Sequence, residues 1–350
     1  MTSAYDYPWL QSTRQKLVGD RRDFHHCLLL AGGPAIGKAM LAVEFAALLL
    51  CEHSGTEGPC RECRGCHLVS NSLHPDLHVL MPEFLAESSG PILESHAQRY
   101  LEPAKIGQKR KPREQISIDS ARALTEALLT TAQPDGRKVV LIVGADTMNR
   151  NTANAMLKVL EEPTEGTIFI LVSSYPYRVP ATIHSRCIRL ECLAPSRNET
   201  ITWLKSRHGA SEDDLTVLAK SGLGPIDLDE IIGENRTAMV HDLIRCCEAP
   251  SDKVADPLFL SSLCAQIGTQ QALSILQTRA LGAVRESLRE PPEGAQQARS
   301  LFADRNLALK AFDRLGAARE RLNGQVDEQL CLEDICAWLS AHNYDSRSRP

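Results

Sequence analysis

Four cysteines carry the most specific chemistry in this 350-residue sequence. Cys51, Cys60, Cys63 and Cys66 follow the spacing C-x8-C-x2-C-x2-C. Two overlapping C-x2-C steps bring three thiolates together, and the eight-residue loop can return Cys51 as a fourth ligand. Four soft donors with no open position describe a closed tetrahedral site for a structural Zn²⁺, without a catalytic vacancy. His53 and His67 flank the run, and either could replace a cysteine. An iron–sulfur cluster is the alternative occupant, although nothing else in the sequence argues for redox chemistry. Most of the other eight of the 12 cysteines read as small buried apolar residues.

Gly32, Gly37 and Lys38 form a second pattern, Gly-x-x-x-x-Gly-Lys. Glycines let backbone N–H groups approach phosphate oxygens, and the lysine adds a positive charge. The next residue is Ala39, where a working ATPase carries a hydroxyl for Mg²⁺. The carboxylates are missing too. The apolar run 138–143 ends Val143-Gly144-Ala145-Asp146, and neither Val143 nor Gly144 can bind metal or orient water. Asp146 comes two or three residues late, which predicts that it points away from a nucleotide. Phosphoryl transfer depends on positioning and electrostatics. The expectation is therefore a loop that keeps its shape but hydrolyses nothing, with ATP binding through Gly32, Gly37 and Lys38 left open.

These patterns need a scaffold. Residues 26–30 read as a buried strand entering the glycine loop, followed by a helix to about residue 50. Further strands are expected at 76–80, 138–143 and 167–172, with a helix at 118–131 opened by Asp119. Strands separated by helices imply right-handed βαβ units and a mostly parallel sheet. Between residues 82 and 115 periodicity is lost around the basic residues Lys109, Arg110, Lys111 and Arg113. This reads as a solvated insertion, with a DNA-backbone contact as the lesser reading. Beyond about residue 193 strand signals vanish, and segments 201–204, 215–219, 257–285 and 299–322 read as amphipathic helices. The expected organisation is an α/β domain over 1–193 with the cysteine insertion at 51–66, a helical lid over 194–240, and an all-α domain over 241–350.

The run Asn151-Thr152-Ala153-Asn154-Ala155-Met156-Leu157-Lys158-Val159-Leu160-Glu161-Glu162-Pro163 is, by itself, an amphipathic helix ended by proline. It also closely resembles the Ala-Asn-Ala-Leu-Leu-Lys-x-Leu-Glu-Glu-Pro signature of bacterial DNA polymerase III clamp loader subunits, members of the AAA+ family. Ser185-Arg186-Cys187 is similar to that family's Ser-Arg-Cys motif. Tyr7-Pro8-Trp9-Leu10 and the four-cysteine insertion fit the same pattern, in the same order, across residues 7 to about 190. Within the family, the lost hydroxyl and carboxylates resemble the delta-prime type, not the motor subunits. Ile226, in Leu223-Gly224-Pro225-Ile226, stands where related proteins carry a nucleotide-sensing arginine.

The resemblance implies an AAA+ P-loop fold and a role for Arg186 as an arginine finger on the γ-phosphate of a neighbour's ATP. It further implies a place in a hetero-pentameric ring with motor subunits and the delta subunit. The C-terminal helices would form part of a collar, and the assembly would load a sliding clamp onto primed DNA. Outside that family Arg186 would be an ordinary surface or salt-bridging arginine.

Composition narrows the field. A formal net charge of −5 gives no global positive field for autonomous DNA binding. Residues 1–10 do not read as a signal peptide, and the apolar stretch 40–51 is too short to span a bilayer. A cytoplasmic protein with no membrane contact is expected. A nuclease or polymerase centre would need clustered metal-binding carboxylates, and the sequence holds no such cluster. Two other functions stay open: an ATP-hydrolysing motor subunit with an atypical site, and a zinc-dependent DNA-binding module on a P-loop fold.

Overall fold

The structure, a computed structural model, describes residues 6–19, 25–53, 55, 58–86, 89–101, 112–129, 136–248, 256–288, 301–302, 304–322 and 327–345. It divides into two compact units, Met1–Ala194 and Pro195–Pro350.

In the first unit a short 3-10 turn, Pro8–Leu10, leads into α1 (Gln11–Gly19). Then follow β1 (Cys27–Ala31), α2 (Lys38–Leu49), α3 (Arg64–Ser70), β2 (Leu77–Leu80), α4 (Glu83–Ala86) and α5 (Pro91–Ala97). The unit continues through α6 (Ile118–Leu129), β3 (Lys138–Val143), α7 (Arg150–Glu161), β4 (Thr167–Ser173), α8 (Ala181–His184) and β5 (Ile188–Glu191). The five strands form one parallel sheet in the order β2-β3-β4-β1-β5.

β1, β3 and β4 are nearly unbroken aliphatic runs and are buried along their length, as expected of parallel strands covered on both faces. α6 and α7 cover one face. Leu124, Met156 and Leu160 there share a core with Leu29, Ile142 and Phe169 of the sheet. α7 starts at Asn149, whose side-chain oxygen accepts from the Thr152 N–H at 2.9 Å. It stops just before Pro163, which cannot extend it.

Two features differ from the sequence expectation. β5 was not foreseen: it is a four-residue edge strand, mostly exposed and half polar, held by its register to β1. The stretch 82–115 is not loop throughout, since α4 and α5 form within it. Arg113 docks back on α4, its N–H donating to Glu83 at 3.0 Å and its carbonyl accepting from Phe84 at 3.1 Å. Lys109, Arg110 and Lys111 lie outside the described residues.

The second unit shows only helices among its described residues: α9 (Arg197–His208), α10 (Glu212–Leu218), α11 (Pro225–Gly233), α12 (Thr237–Glu248), α13 (Pro257–Ile267), α14 (Thr269–Ser287), α15 (Arg305–Leu322) and α16 (Glu328–Asp345). α9 opens with a reciprocal capping box between Ser196 and Glu199. The leucine-spaced segment 257–285 is two helices interrupted at Gly268. α12 runs unbroken through residue 240, so the sequence-based division at that position does not mark a linker. Among the described residues no helix is long and apolar enough to cross a membrane. A P-loop α/β domain with a parallel sheet and flanking helices, followed by helices alone, is the fold class expected from the sequence.

Candidate functional site

The four cysteines converge. Cys51 follows the end of α2, and Cys63 caps the start of α3 with its own sulfur. All four sulfurs lie within 4.8 Å of one another. Cys51 and Cys63 are 3.8 Å apart, and Cys60 and Cys66 are 3.9 Å apart. Sulfurs placed tetrahedrally at about 2.3 Å from Zn²⁺ would be separated by about 3.8 Å.

Every sulfur also receives a backbone N–H. Cys60 donates to Cys51, Cys63 to Cys60 and Arg61 to Cys66, each at 3.3 Å, and Cys66 donates to Cys63 at 3.4 Å. Such donors favour thiolate over thiol. Burial pushes the Cys63 thiol up, but N–H groups of Cys66 and Glu52 outweigh it and bring it down to about 6. At Cys66 burial prevails and, with the sulfurs of Cys63 and Cys51, pushes the thiol above its ordinary value. Four sulfurs gathered around one point, each facing a backbone N–H, are suited to a cation at the centre. Glu52 and His53 also bring ligand atoms close to Cys63, though both are exposed. His67 is exposed on α3.

The phosphate loop has the expected position between β1 and α2, but its charge is already engaged. Lys38 is only 4% exposed. Its ammonium donates to the Gly33 carbonyl of its own loop and to Ser174 Oγ at 3.3 Å. Burial lowers Lys38 to about 8, opposed by the negative potential of Cys192 and Asp146. The N-terminal aromatics close over the loop. Trp9 Nε1 donates to the Ile36 carbonyl at 2.8 Å. Gly37 has φ +92°, and a Cβ there would lie 2.6 Å from the Tyr7 ring, so only glycine fits.

Asp146 corrects the sequence reading. Gly144, at φ +74°, turns the chain into a 3-10 turn over Ala145–Thr147. That turn carries the Asp146 carboxylate back to the end of β4, where it accepts from the Ser174 N–H at 3.1 Å. Asp146 therefore does not point away; it belongs to the Lys38–Ser174–Asp146 chain. Ser174 lies in no motif and is 136 residues from Lys38, so nothing in the sequence links the two. Ala39 adds no hydroxyl to this chain, and Val143 is a buried strand residue. Ile226 is half-buried in the first turn of α11, behind Gly224 and Pro225.

Arg186 occupies the turn between α8 and β5, with its side chain 30% exposed. Nε donates to Glu161 at 2.8 Å and a terminal nitrogen donates to the same carboxylate oxygen. The other terminal nitrogen donates to the Thr182 carbonyl at 2.7 Å and to Ser185 Oγ at 3.2 Å. Glu161 is the last residue of α7; both sequence motifs were legible, but not their pairing. Leu28 stands opposite Ile188 in the sheet, which sets Arg186 level with the start of β1. The phosphate loop leaves the far end of that strand. Six residues at about 3.3 Å each put roughly 20 Å between the two levels.

A family model described as DNA polymerase III, delta subunit, matches residues 13–195, just over half of the chain. The DNA polymerase III subunit delta' of Pseudomonas aeruginosa is 36% identical over 230 residues, 65% of this chain and 62% of that protein. The subunit of the same name from Escherichia coli K12 is 33% identical over 221 residues, 62% of this chain and 58% of that one. The chain thus spans about three fifths of the length of these curated relatives. A solved structure, a DNA polymerase III gamma subunit-related protein from Thermotoga maritima, is 17% identical with a TM-score of 0.44, covering 96% of this chain and 99% of that one. On the family match, which covers more than half of its length, the chain belongs to the DNA polymerase III delta subunit family.

Proposed function

We propose that this chain is a non-hydrolysing clamp loader subunit that lends Arg186 to ATP bound by a neighbouring motor subunit. The observation that carries this reading is the place of Arg186 in the sheet. It sits at the opposite end of β1 from the chain's own phosphate loop, farther than one side chain extends. That distance keeps Arg186 from its own loop and leaves a neighbouring chain's phosphate as the one it could serve. Its guanidinium is permanently charged and already gathered into a fork by Glu161, Thr182 and Ser185. On docking, γ-phosphate oxygens would take the place of the Glu161 carboxylate as the two-pronged partner.

The chain's own loop supports the non-hydrolysing half. Its lysine is engaged internally, and the sequence lacks the Mg²⁺ hydroxyl and the paired carboxylates at the end of β3. Gly32, Gly37 and Lys38 are then a structural remnant, and the ATP that matters is the neighbour's. One Zn²⁺ held by Cys51, Cys60, Cys63 and Cys66 would fix the loop between α2 and α3; bound there it supplies folding energy and no reaction step.

The partners in this reading are the motor subunits and delta subunit of a hetero-pentameric ring in the cytoplasm. The sliding clamp and primed DNA are reached through the assembly. α9 to α12 would serve as the lid, and α13 to α16 as the collar piece.

The test is reconstitution of the loader with Arg186→Ala. The complex should assemble normally, while clamp loading and DNA-stimulated ATP turnover fall. An arginine finger can contribute about 10³–10⁵ in rate at its own site. Only one of several ATP sites faces this subunit, so total turnover should fall in part. Arg186→Lys should restore little, because a point charge cannot reproduce the fork. Full activity with Arg186→Ala would reduce the residue to a surface ion pair with Glu161.

A further inference from the structure

Cys27 and Cys187 meet at the end of the sheet away from the phosphate loop, and the function proposed above uses neither. β1 and β5 pair in parallel with Leu28 opposite Ile188; extended one residue before β5, that register sets Cys187 beside Cys27, and the two side chains interact. Residues in register on neighbouring parallel strands project from the same face of the sheet. Cys187 accordingly packs against the apolar cluster that contains Cys27. Strands lie about 4.8 Å apart, inside the Cα separation of roughly 4.4–6.8 Å that a disulfide requires.

The two thiols are not equivalent. Cys27 is fully buried, whereas Cys187 is partly exposed and open to a small reagent. The S–H interaction with Cys187, reinforced by burial, pushes the Cys27 thiol far above its ordinary value. Cys27 therefore holds its proton, and Cys187 is the sulfur that an external oxidant can reach.

We propose that Cys27 and Cys187 are a peroxide-oxidisable pair that closes a reversible disulfide directly beside Arg186. The Cys187 thiolate attacks one oxygen of hydrogen peroxide. An S–O bond forms, the O–O bond breaks, and the departing hydroxide leaves as water with the proton Cys187 released. The Cys27 sulfur then attacks the sulfenic sulfur of Cys187. The S–S bond forms, the S–O bond breaks, and the Cys27 proton leaves with the hydroxide as a second water. Two thiols are oxidised, one peroxide is reduced, and a dithiol reductant reverses the cross-link. Cys187 directly follows Arg186, so the disulfide would tie the turn carrying that arginine to β1. That consequence rests on the arginine-finger reading; the cross-link does not.

The full chain is treated with hydrogen peroxide, its remaining thiols are alkylated, and the digest is mapped by mass spectrometry. The expected product is a peptide pair joining residue 27 to residue 187 that disappears on treatment with dithiothreitol. In Cys27→Ala the pair should be lost and Cys187 should stop at a sulfenic acid, trapped by dimedone. Recovery of wild-type Cys187 as free thiol or as trapped sulfenic acid, without the linked peptide, overturns the proposal whatever the variant does. Because the readout is a bond between two named residues, loss of the arginine-finger reading would leave it standing.

Discussion

The cysteine loop and the phosphate loop flank the same helix, α2, and resolve their polar groups in opposite ways. In the first, four sulfurs face a common point, and each is supplied by a backbone N–H without closing the centre to a cation. In the second, the one cationic side chain folds into its own loop and onto Ser174, under the cover of Tyr7 and Trp9. Both loops keep their sequence patterns. A pattern marks a working site only when its groups remain directed at something outside the protein. The cysteines meet that condition and Lys38 does not.

The largest effect should come from breaking the cysteine side of this contrast. With Cys63→Ser, or a strong chelator acting on wild type, the first unit should lose several kcal/mol, because metal binding is coupled to folding of the loop. A domain of this size would then melt about 10 °C lower or more, and the chelator should have no further effect on the variant. Identical melting of zinc-loaded and zinc-free protein would make this loop as inert as its neighbour.

A smaller effect, of opposite sign, is expected at Lys38. Its pKa falls from the ordinary lysine value to about 8 on folding. Between that value and the ordinary one the unfolded chain binds the proton more readily, so stability rises with pH across the window. Below about 8 the cost of burying the charge is present in full. Lys38→Met should therefore stabilise the chain at neutral pH by at most about 3 kcal/mol. The advantage over wild type should shrink as the pH approaches 10.5. A destabilised Lys38→Met at pH 7 would mean that the ammonium's hydrogen bonds outweigh its desolvation.

The smallest expected effect is a null one. Millimolar ATP with Mg²⁺ should leave the melting temperature of the isolated chain unmoved. A ligand at a hundredfold its dissociation constant would add about 2.7 kcal/mol, which is readily seen. Such a shift, absent from Lys38→Met, would reopen the phosphate loop as a nucleotide site and erase the contrast.

The fold and the candidate sites were legible to different depths for physical reasons. β1, β3 and β4 could be read because strands buried on both faces must be apolar throughout. β5 could not, because four half-polar residues on an edge resemble any loop. The convergence of the four cysteines is legible in the sequence, since they lie within 16 consecutive residues and spacing alone limits their geometry. The closure of Lys38 is invisible in the sequence, because Ser174, its partner, and Tyr7 and Trp9, which cover the loop, arrive through the tertiary fold. The place of Asp146 does not follow from its distance along the strand, because Gly144 turns the chain back across the strand ends. Arg186 was identified by its motif, but its partner Glu161 lies 25 residues away in another motif.

The placement of Arg186 and the phosphate loop at opposite ends of one strand gives the chain a direction. Head-to-tail assemblies repeat a single junction around a ring until it closes. A subunit that keeps the giving end of that junction and has lost the receiving end acts as punctuation in the row. If the arginine-finger proposal holds, it completes the catalytic junction on one side and opens none on the other. On the proposed reading, each copy of this chain admitted to a ring removes a fuel-consuming junction from it. Stoichiometry then sets how much ATP one round of assembly can consume.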